Sequence, residues 1–233
     1  TFAQKTADEH GLTREEMDAF AIESLTRAQR AIDEGLNSKE IAPVTIKTRR
    51  GEHTVTIDEQ PHKANLEKIP QLRPAFAGGG PIPPANSSSI SDGASALLLA
   101  SESAASAHGL TPRARIVAHA RNSLAPESFT LAPIGATEQV LEKAGWTASD
   151  VDLWEINEAF AMVTMLTTRA LDLDPACVNV HGGACAQGHP VGSTGSRIIV
   201  TLIHALEHYG KKRGVAALCI GGGEATAMAI ELI

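Results

Sequence analysis

Apolar residues recur at helical spacing from Met17 through Phe20, Ala21, Leu25 and Ala28 to Ile32. Thr13, with Glu16 three residues on, makes a capping box ahead of this run, and Gly35 follows it. The pattern predicts an amphipathic helix bounded at both ends, with which the chain opens. Val44 to Thr48 and Thr54 to Asp58 alternate apolar with polar residues around Arg50-Gly51, which predicts a short hairpin. Asp58 to Pro84 is rich in Pro, Gly and Lys and reads as loop. Residues 1–90 are therefore expected to be an irregular, excursion-type region.

From Ala94 the texture changes to alternating strands and helices. A strand is expected from Ala94 to Ala100, a Ser101-capped helix ending at Gly109, and a strand near Arg115 to His119. Pro133 sits early in a helix whose inward face is Ala136, Val140, Leu141 and Ala144 and which Gly145 closes. Val151 to Ile156 reads as a buried strand, followed by a helix from about Asn157 to Leu171 and a short strand at Val178 to Val180. Gly192 to Tyr209 is a long helix with Ile198, Ile199, Leu202, Ile203 and Leu206 inward. Val215 to Ile220 and Thr226 to Ile230 are strands joined through Gly221-Gly222-Gly223, so they are expected to form an antiparallel hairpin. The whole predicts an α/β fold in which helices pack on a mixed sheet.

Composition narrows the function classes. With 233 residues, 43% of them hydrophobic, the chain can bury one or two cores. No apolar run approaches the roughly 20 residues of a membrane helix, and Thr1-Phe2-Ala3-Gln4-Lys5 lacks the basic flank and apolar segment of a leader. The expected protein is soluble and cytoplasmic, with no membrane partner. Cys177, Cys185 and Cys219 are an odd count without CxxC or finger spacing, which suggests neither a disulfide framework nor a metal site. A net charge of −7 and only five Phe, two Trp and one Tyr argue against nucleic acid as a partner.

Against that background two segments carry chemistry. Cys219 ends an apolar strand just before three glycines, whose N–H groups can converge on an anion, and a thiolate needs such stabilisation to act as base or nucleophile. Read alone, Cys219 is also an ordinary small core residue. His189, between Gly188 and Pro190, is held extended and presented at a loop ahead of a helix N-terminus, where a neutral imidazole is favoured. Asn157, in Asn157-Glu158-Ala159-Phe160, lies where a strand meets a helix and would serve as a cap as readily as a site residue. The stretch Asn86 to Ala94 is a hydroxyl-rich turn, and Cys177 and Cys185 read as packing residues.

Taken in order, Asn157-Glu158-Ala159-Phe160, Gly182-Gly183-Ala184 with Gly188-His189-Pro190, Cys219-Ile220-Gly221-Gly222-Gly223 and the Asn86 to Ala94 stretch resemble the signature set of the thiolases, closest to the acetyl-CoA acetyltransferase branch. The resemblance implies a layered αβαβα fold, of which residues 1–90 are most of a loop domain, 91–112 a segment returning to the N-terminal half, and 113–233 the C-terminal half. It implies reversible condensation of two acetyl-CoA to acetoacetyl-CoA and CoA, or thiolysis of 3-oxoacyl-CoA, through an acyl-cysteine on a segment outside this chain. His189 and Asn157 are then the groups that activate the nucleophile and hold one thioester oxygen, Cys219 the proton carrier, and the Gly221 amide a donor to the second oxyanion. Ser88, Ala159 and Phe160 match residues that line the pantetheine tunnel, and Lys47, Arg49, Arg50, His62 and Lys63 are candidates for the CoA phosphates, a solvated basic hairpin being an equal reading. No permanently bound cofactor and no metal are implied, coenzyme A thioesters being substrates, and the family assembles as homodimers or homotetramers. Cys185, Gln187 and His181 depart from the usual pattern. A non-catalytic thiolase-like subunit, or a binding module without its own nucleophile, is the competing reading.

Overall fold

The computed structural model describes residues 2–75 and 80–233. In chain order the elements are α1 (Phe2–Glu9), α2 (Arg14–Asp33), β1 (Val44–Thr48), β2 (Gly51–Val55), α3 (Gln60–Lys63), α4 (Glu102–Ala107), β3 (Ala114–Ser123), α5 (Ala132–Ala144), β4 (Leu153–Ile156), α6 (Ala161–Ala170), α7 (Ala184–Gln187), α8 (Thr194–His208), β5 (Arg213–Ile220) and β6 (Glu224–Leu232).

The organising element is a four-stranded sheet in the order β3-β6-β5-β4, antiparallel except for the parallel pair β4 and β5. β4 and β5 are buried on both faces, which is why they read as near-continuous apolar runs rather than as alternation, whereas β3 is largely exposed. Successive residues still sort by pleat. Trp154, Ile156, Val215, Ala217, Ala227 and Ala229 pack under Ala132, Ala136 and Val140 of α5. Leu153, Ala216 and Ile230 pack on the other face under Ile198, Leu202 and Leu206 of α8. The described residues thus build a helix–sheet–helix sandwich, the α/β layering expected of the C-terminal half.

The stop and start signals at three helices read as expected. Thr13 accepts a hydrogen bond from Glu16 N while the Glu16 carboxylate returns to Thr13 N, completing the capping box of α2. Ser101 caps α4 through Ala104 N, and Gly145 closes α5 with φ +68°.

Elsewhere the structure differs from the expectations, for identifiable reasons. The helix α1 was not foreseen, because its inward face is only Ala3, Thr6 and Ala7, too small to give an apolar period. The second hairpin strand ends at Val55 instead of Asp58, since Thr48 pairs with Gly51 across a two-residue turn and Val44 with Val55. Ala94 to Ala100 forms no strand. It has no ladder partner among the described residues, and Leu98 and Leu99 are 83% and 70% exposed. The stretch from Asp58 to Pro84 holds α3 and a 3-10 turn at Leu66–Gln71, while the part of it at 76–79 lies outside the described residues. Val178 makes one bridge to Trp154 and no strand, because Asn179 turns out of the extended region at φ +48°. The long helix starts at Thr194, two residues later than expected. The helix after β4 begins at Ala161, four residues past Asn157: Asn157 N–H continues the ladder to Ala217 O at 2.9 Å, and Phe160 is extended and bridged to Ser87. Asn157 is therefore not a helix cap, which frees its side chain.

Behind α8 and α2 lies a buried histidine. His181 is 1% exposed, neither ring nitrogen has a hydrogen bond among the described residues, and its ring faces His208 at 6.3 Å and Tyr209 at 5.7 Å. Burial above all, then the His208, Arg30 and His204 charges, pushes its pKa from 6.5 to about 4. The folded state therefore refuses a proton that the unfolded chain accepts below about 6.5, so stability falls as pH drops from 6.5 towards 4. Urea denaturation of the wild type and of His181→Asn at pH 7.5 and pH 5 checks this. The variant should lose less stability on acidification, and equal losses would remove His181 from the account.

Candidate active site

His189 enters the site from the turn between α7 and α8. Its backbone is held extended, as expected ahead of a proline, by a bond from His189 N to Ser89 O at 3.1 Å and a parallel bridge to Ile90. The ring Nδ1 lies 2.6 Å from Thr194 Oγ1, and that hydroxyl donates its only proton to Pro190 O at 3.0 Å. Thr194 can then only accept from the ring, so Nδ1 carries the proton and Nε2 presents its lone pair. Burial, and then the charge of Arg197, lowers the His189 pKa, which keeps the ring neutral at pH 7. The arrangement supplies a neutral base of defined tautomer. Thr194 was not singled out in the sequence, although a hydroxyl five residues past the histidine, inside the first turn of a helix, was the available signal.

Facing Nε2, at 3.4 Å, is the Asn157 side-chain nitrogen, a long contact that orients more than it binds. The Asn157 carboxamide oxygen is buried and has no hydrogen-bond partner among the described residues. A buried acceptor left open at a loop next to a base is the arrangement that holds a water or a substrate donor. His189 and Asn157 are thus brought together by β4 on one side and the α7–α8 turn on the other.

Cys219 lies in the next strand, 6% exposed, within an apolar cluster that includes Ala161, Met162 and Ile82, with Ala159, Phe160 and Cys185 packed against it. Among the described residues it makes no hydrogen bond to His189, and the two are joined through the Asn157 to Phe160 stretch. Burial pushes the Cys219 thiol up to about 11, outweighing a backbone hydrogen bond, and so favours the protonated form. Cys185 is likewise held protonated by burial and by Glu158, and Cys177 packs at the edge of two clusters, as expected of packing residues.

The glycine corner itself has two different faces. Gly221 is exposed, with no neighbouring atom within 4 Å of a Cβ added there. Gly223 has φ +95°, and an added Cβ would stand 2.3 Å from Leu124 O, whose own N–H bonds Gly223 O at 2.8 Å. Only glycine fits there, and the contact pins the hairpin to the segment after β3.

Ser88 meets Ala159, and Phe160 bridges the neighbouring Ser87. Ser88 N and Oγ both donate to Ala159 O, at 3.0 and 3.1 Å, and Phe160 meets Phe129 edge to face at 6.3 Å. A cavity of about 630 Å³ flanks the His189 turn through Gly188 and Pro190 and carries Arg197 in its wall. Of the basic residues, Lys47 pairs with Glu52, Lys63 with Glu59 and His62 with Asp33. Arg49 and Arg50 are exposed at the hairpin tip without a carboxylate partner among the described residues.

One buried side chain the sequence reading passed over binds these parts together. The Glu158 carboxylate, 1% exposed, accepts hydrogen bonds from Ser24 Oγ at 2.7 Å, Asn179 Nδ2 at 2.8 Å and Cys185 N at 3.0 Å. Burial raises its pKa, while these three donors and Arg197 act in the opposite sense.

Residues 110–232 match the family model for the thiolase C-terminal domain and residues 1–103 that for the thiolase N-terminal domain. A cytosolic acetyl-CoA acetyltransferase of Mus musculus is 45% identical over 232 residues, 98% of this chain and 58% of its own length. The crystal structure of the Bacillus anthracis acetyl-CoA acetyltransferase superposes with a TM-score of 0.96 at 41% identity, covering 100% of this chain and 59% of the other. The Acat5 thiolase from Ascaris suum in complex with coenzyme A superposes with a TM-score of 0.88 at 40% identity, covering 100% and 59%. The chain spans between 55% and 59% of the length of such relatives.

The tautomer assignment has a direct check. Nitrogen-15 NMR of the histidines should show His189 protonated at Nδ1 at pH 7, and Thr194→Val should abolish that preference with the fold intact. An unchanged tautomer in the valine variant would mean that Thr194 does not set it.

Proposed function

Because this chain belongs to the thiolase family, we propose that it carries the acid–base half of an acetyl-CoA C-acetyltransferase, a transferase that condenses two acetyl-CoA to acetoacetyl-CoA and CoA or runs the reverse thiolysis of a 3-oxoacyl-CoA. The observation that carries the reading is the neutral His189 ring, with Nδ1–H on Thr194 and Nε2 open beside Asn157.

In this reading Nε2 takes the thiol proton of the family's nucleophilic cysteine, which the sequence resemblance places outside this chain, and the resulting thiolate attacks the acyl carbonyl and becomes acylated as the CoA thiolate leaves. The imidazolium so formed has an Nε2–H to donate to the developing oxyanion, together with a water held on the open Asn157 oxygen. Acylation through cysteine splits one encounter between two thioesters into two positioned steps. Cys219 exchanges a proton with the α-carbon of acetyl-CoA and then with CoA, and the open face of Gly221 receives the second oxyanion. The pantetheine arm runs past Ser88, Ala159 and Phe160, and Arg49 and Arg50 meet the phosphates. Coenzyme A thioesters are substrates here, with no permanently bound cofactor. A cytoplasmic location and assembly as a homodimer or homotetramer belong to the same proposal, the first supported by the cytosolic mouse relative and the second by the family resemblance.

CoA-dependent cleavage of acetoacetyl-CoA by the complete protein tests the reading. His189→Ala and Cys219→Ser should each lower kcat/KM by about 10² to 10⁴-fold. Turnover unaffected in both variants would defeat the assignment.

A further inference from the structure

The two loops that meet at the Asn157–His189 contact belong to different parts of the chain, and their spacing has to be set by something that touches both. Glu158 is the immediate neighbour of Asn157, and its carboxylate reaches three separate elements. Ser24 comes from the middle of α2, Asn179 from the turn after the 175–177 segment, and Cys185 N from the first turn of α7, which leads directly into Gly188 and His189.

Each partner is itself tied down. Ser24 Oγ accepts from Gly183 N at 3.0 Å, so its one proton goes to Glu158. Asn179 clamps the end of β4, with its side-chain oxygen on Ile156 N at 2.8 Å and its nitrogen on Ile156 O at 2.9 Å. The turn at Gly183 approaches so closely that an added Cβ would stand 2.3 Å from the Glu158 carboxyl carbon. All three contacts to Glu158 are donors, which favour the ionised carboxylate, whereas burial, the larger influence, raises its pKa. A leucine of similar volume would leave the three donors unpaired in the core.

We propose that Glu158 is a positioning residue which, by clamping the Asn157 strand end to the turn that leads to His189, sets the approach of Asn157 to His189 Nε2. The inference rests on the proposed acid–base role of His189 and concerns geometry, not contact with substrate. Loss of the clamp lets the two loops drift apart by fractions of an ångström, and misplacement on that scale is felt in turnover before it is felt in binding.

Glu158→Gln is the direct probe, because a carboxamide keeps the volume but must turn its NH₂ toward a donor. In acetoacetyl-CoA thiolysis by the complete protein, E158Q should lower kcat by roughly 10- to 100-fold while KM changes less than about twofold. The acidic limb of the kcat/KM profile should move to higher pH, because a donor withdrawn from Nε2 no longer favours the neutral ring. Ser24→Ala, which removes one donor and keeps the other two, should produce the same pair of changes in smaller measure, and it serves if E158Q does not fold. Wild-type kcat and pH profile in E158Q, or in S24A where only that variant folds, would overturn the proposal. Activity that survives His189→Ala would instead overturn the acid–base reading beneath it, so the two failures are distinguishable.

Discussion

A carboxylate taken out of water needs donors, and the fold around Glu158 is arranged to bring them. Ser24, Asn179 and the Cys185 amide come from segments separated by up to 161 positions, since the first two partners lie at 24 and 179 and the third at 185. Unpaired burial of a charge costs several kcal/mol, and removal of a partner leaves that cost uncompensated. Helix α2, the end of β4 and the turn before α7 are therefore free to take only those relative positions that satisfy the carboxylate. The site inherits this constraint. Asn157 precedes Glu158 by one residue, and His189 follows the Cys185 amide by one helical turn.

The sheet supplies the second constraint, from the other direction. Asn157 is held in the ladder through Ala217, so the strand that ends in Cys219 is in fixed register with the strand that ends in Asn157. Small side chains at Ala216, Ala217, Ala227 and Ala229 let α5 and α8 lie close on both faces, and the ends of β4 and β5 emerge together at one edge of the sandwich. Ligands of open α/β sheets gather at such carboxyl ends because loops can converge there without cost to the ladder. Gly223 then ties the hairpin corner to Leu124, which keeps the strand ends from splaying.

How much of this was legible in the sequence follows from which signals are local. Thr13 with Glu16, Ser101 and Gly145 are read from neighbours in the chain, and each lies where its pattern says. β4 and β5 were legible because burial on both faces writes a run of apolar residues. The segment Ala94 to Ala100 reads equally well as a strand, yet it is exposed, because a strand exists only with a partner and the sequence of one strand does not name the other. The start of α6 failed for the same reason: the bond from Asn157 N to Ala217 O is a long-range event that overrides a local preference for capping. In the site, His189, Asn157 and Ser88 were visible as motif residues. Thr194, only five residues past His189, was passed over although its signal was local, while the Glu158 partners were not legible, since a hydrogen bond spanning 134 positions leaves no periodic trace.

The high pKa of Cys219 bears on the order of proton transfers. Under the proposed reaction, the group that meets the departing acetyl-CoA carbanion in thiolysis is an acid, and burial of Cys219 among Ala161, Met162 and Ile82, which pushes its thiol up to about 11, favours the protonated form. In the same proposal the thiolate left behind takes a proton from the incoming CoA thiol, which leaves CoA as the nucleophile for the acyl-cysteine, and condensation runs these transfers in reverse. Burial and the Arg197 charge lower the His189 pKa, which favours the neutral ring that the proposed deprotonation of the nucleophile needs. Burial at Cys219 and burial at His189 thus act in one sense, each penalising the charged form of the group.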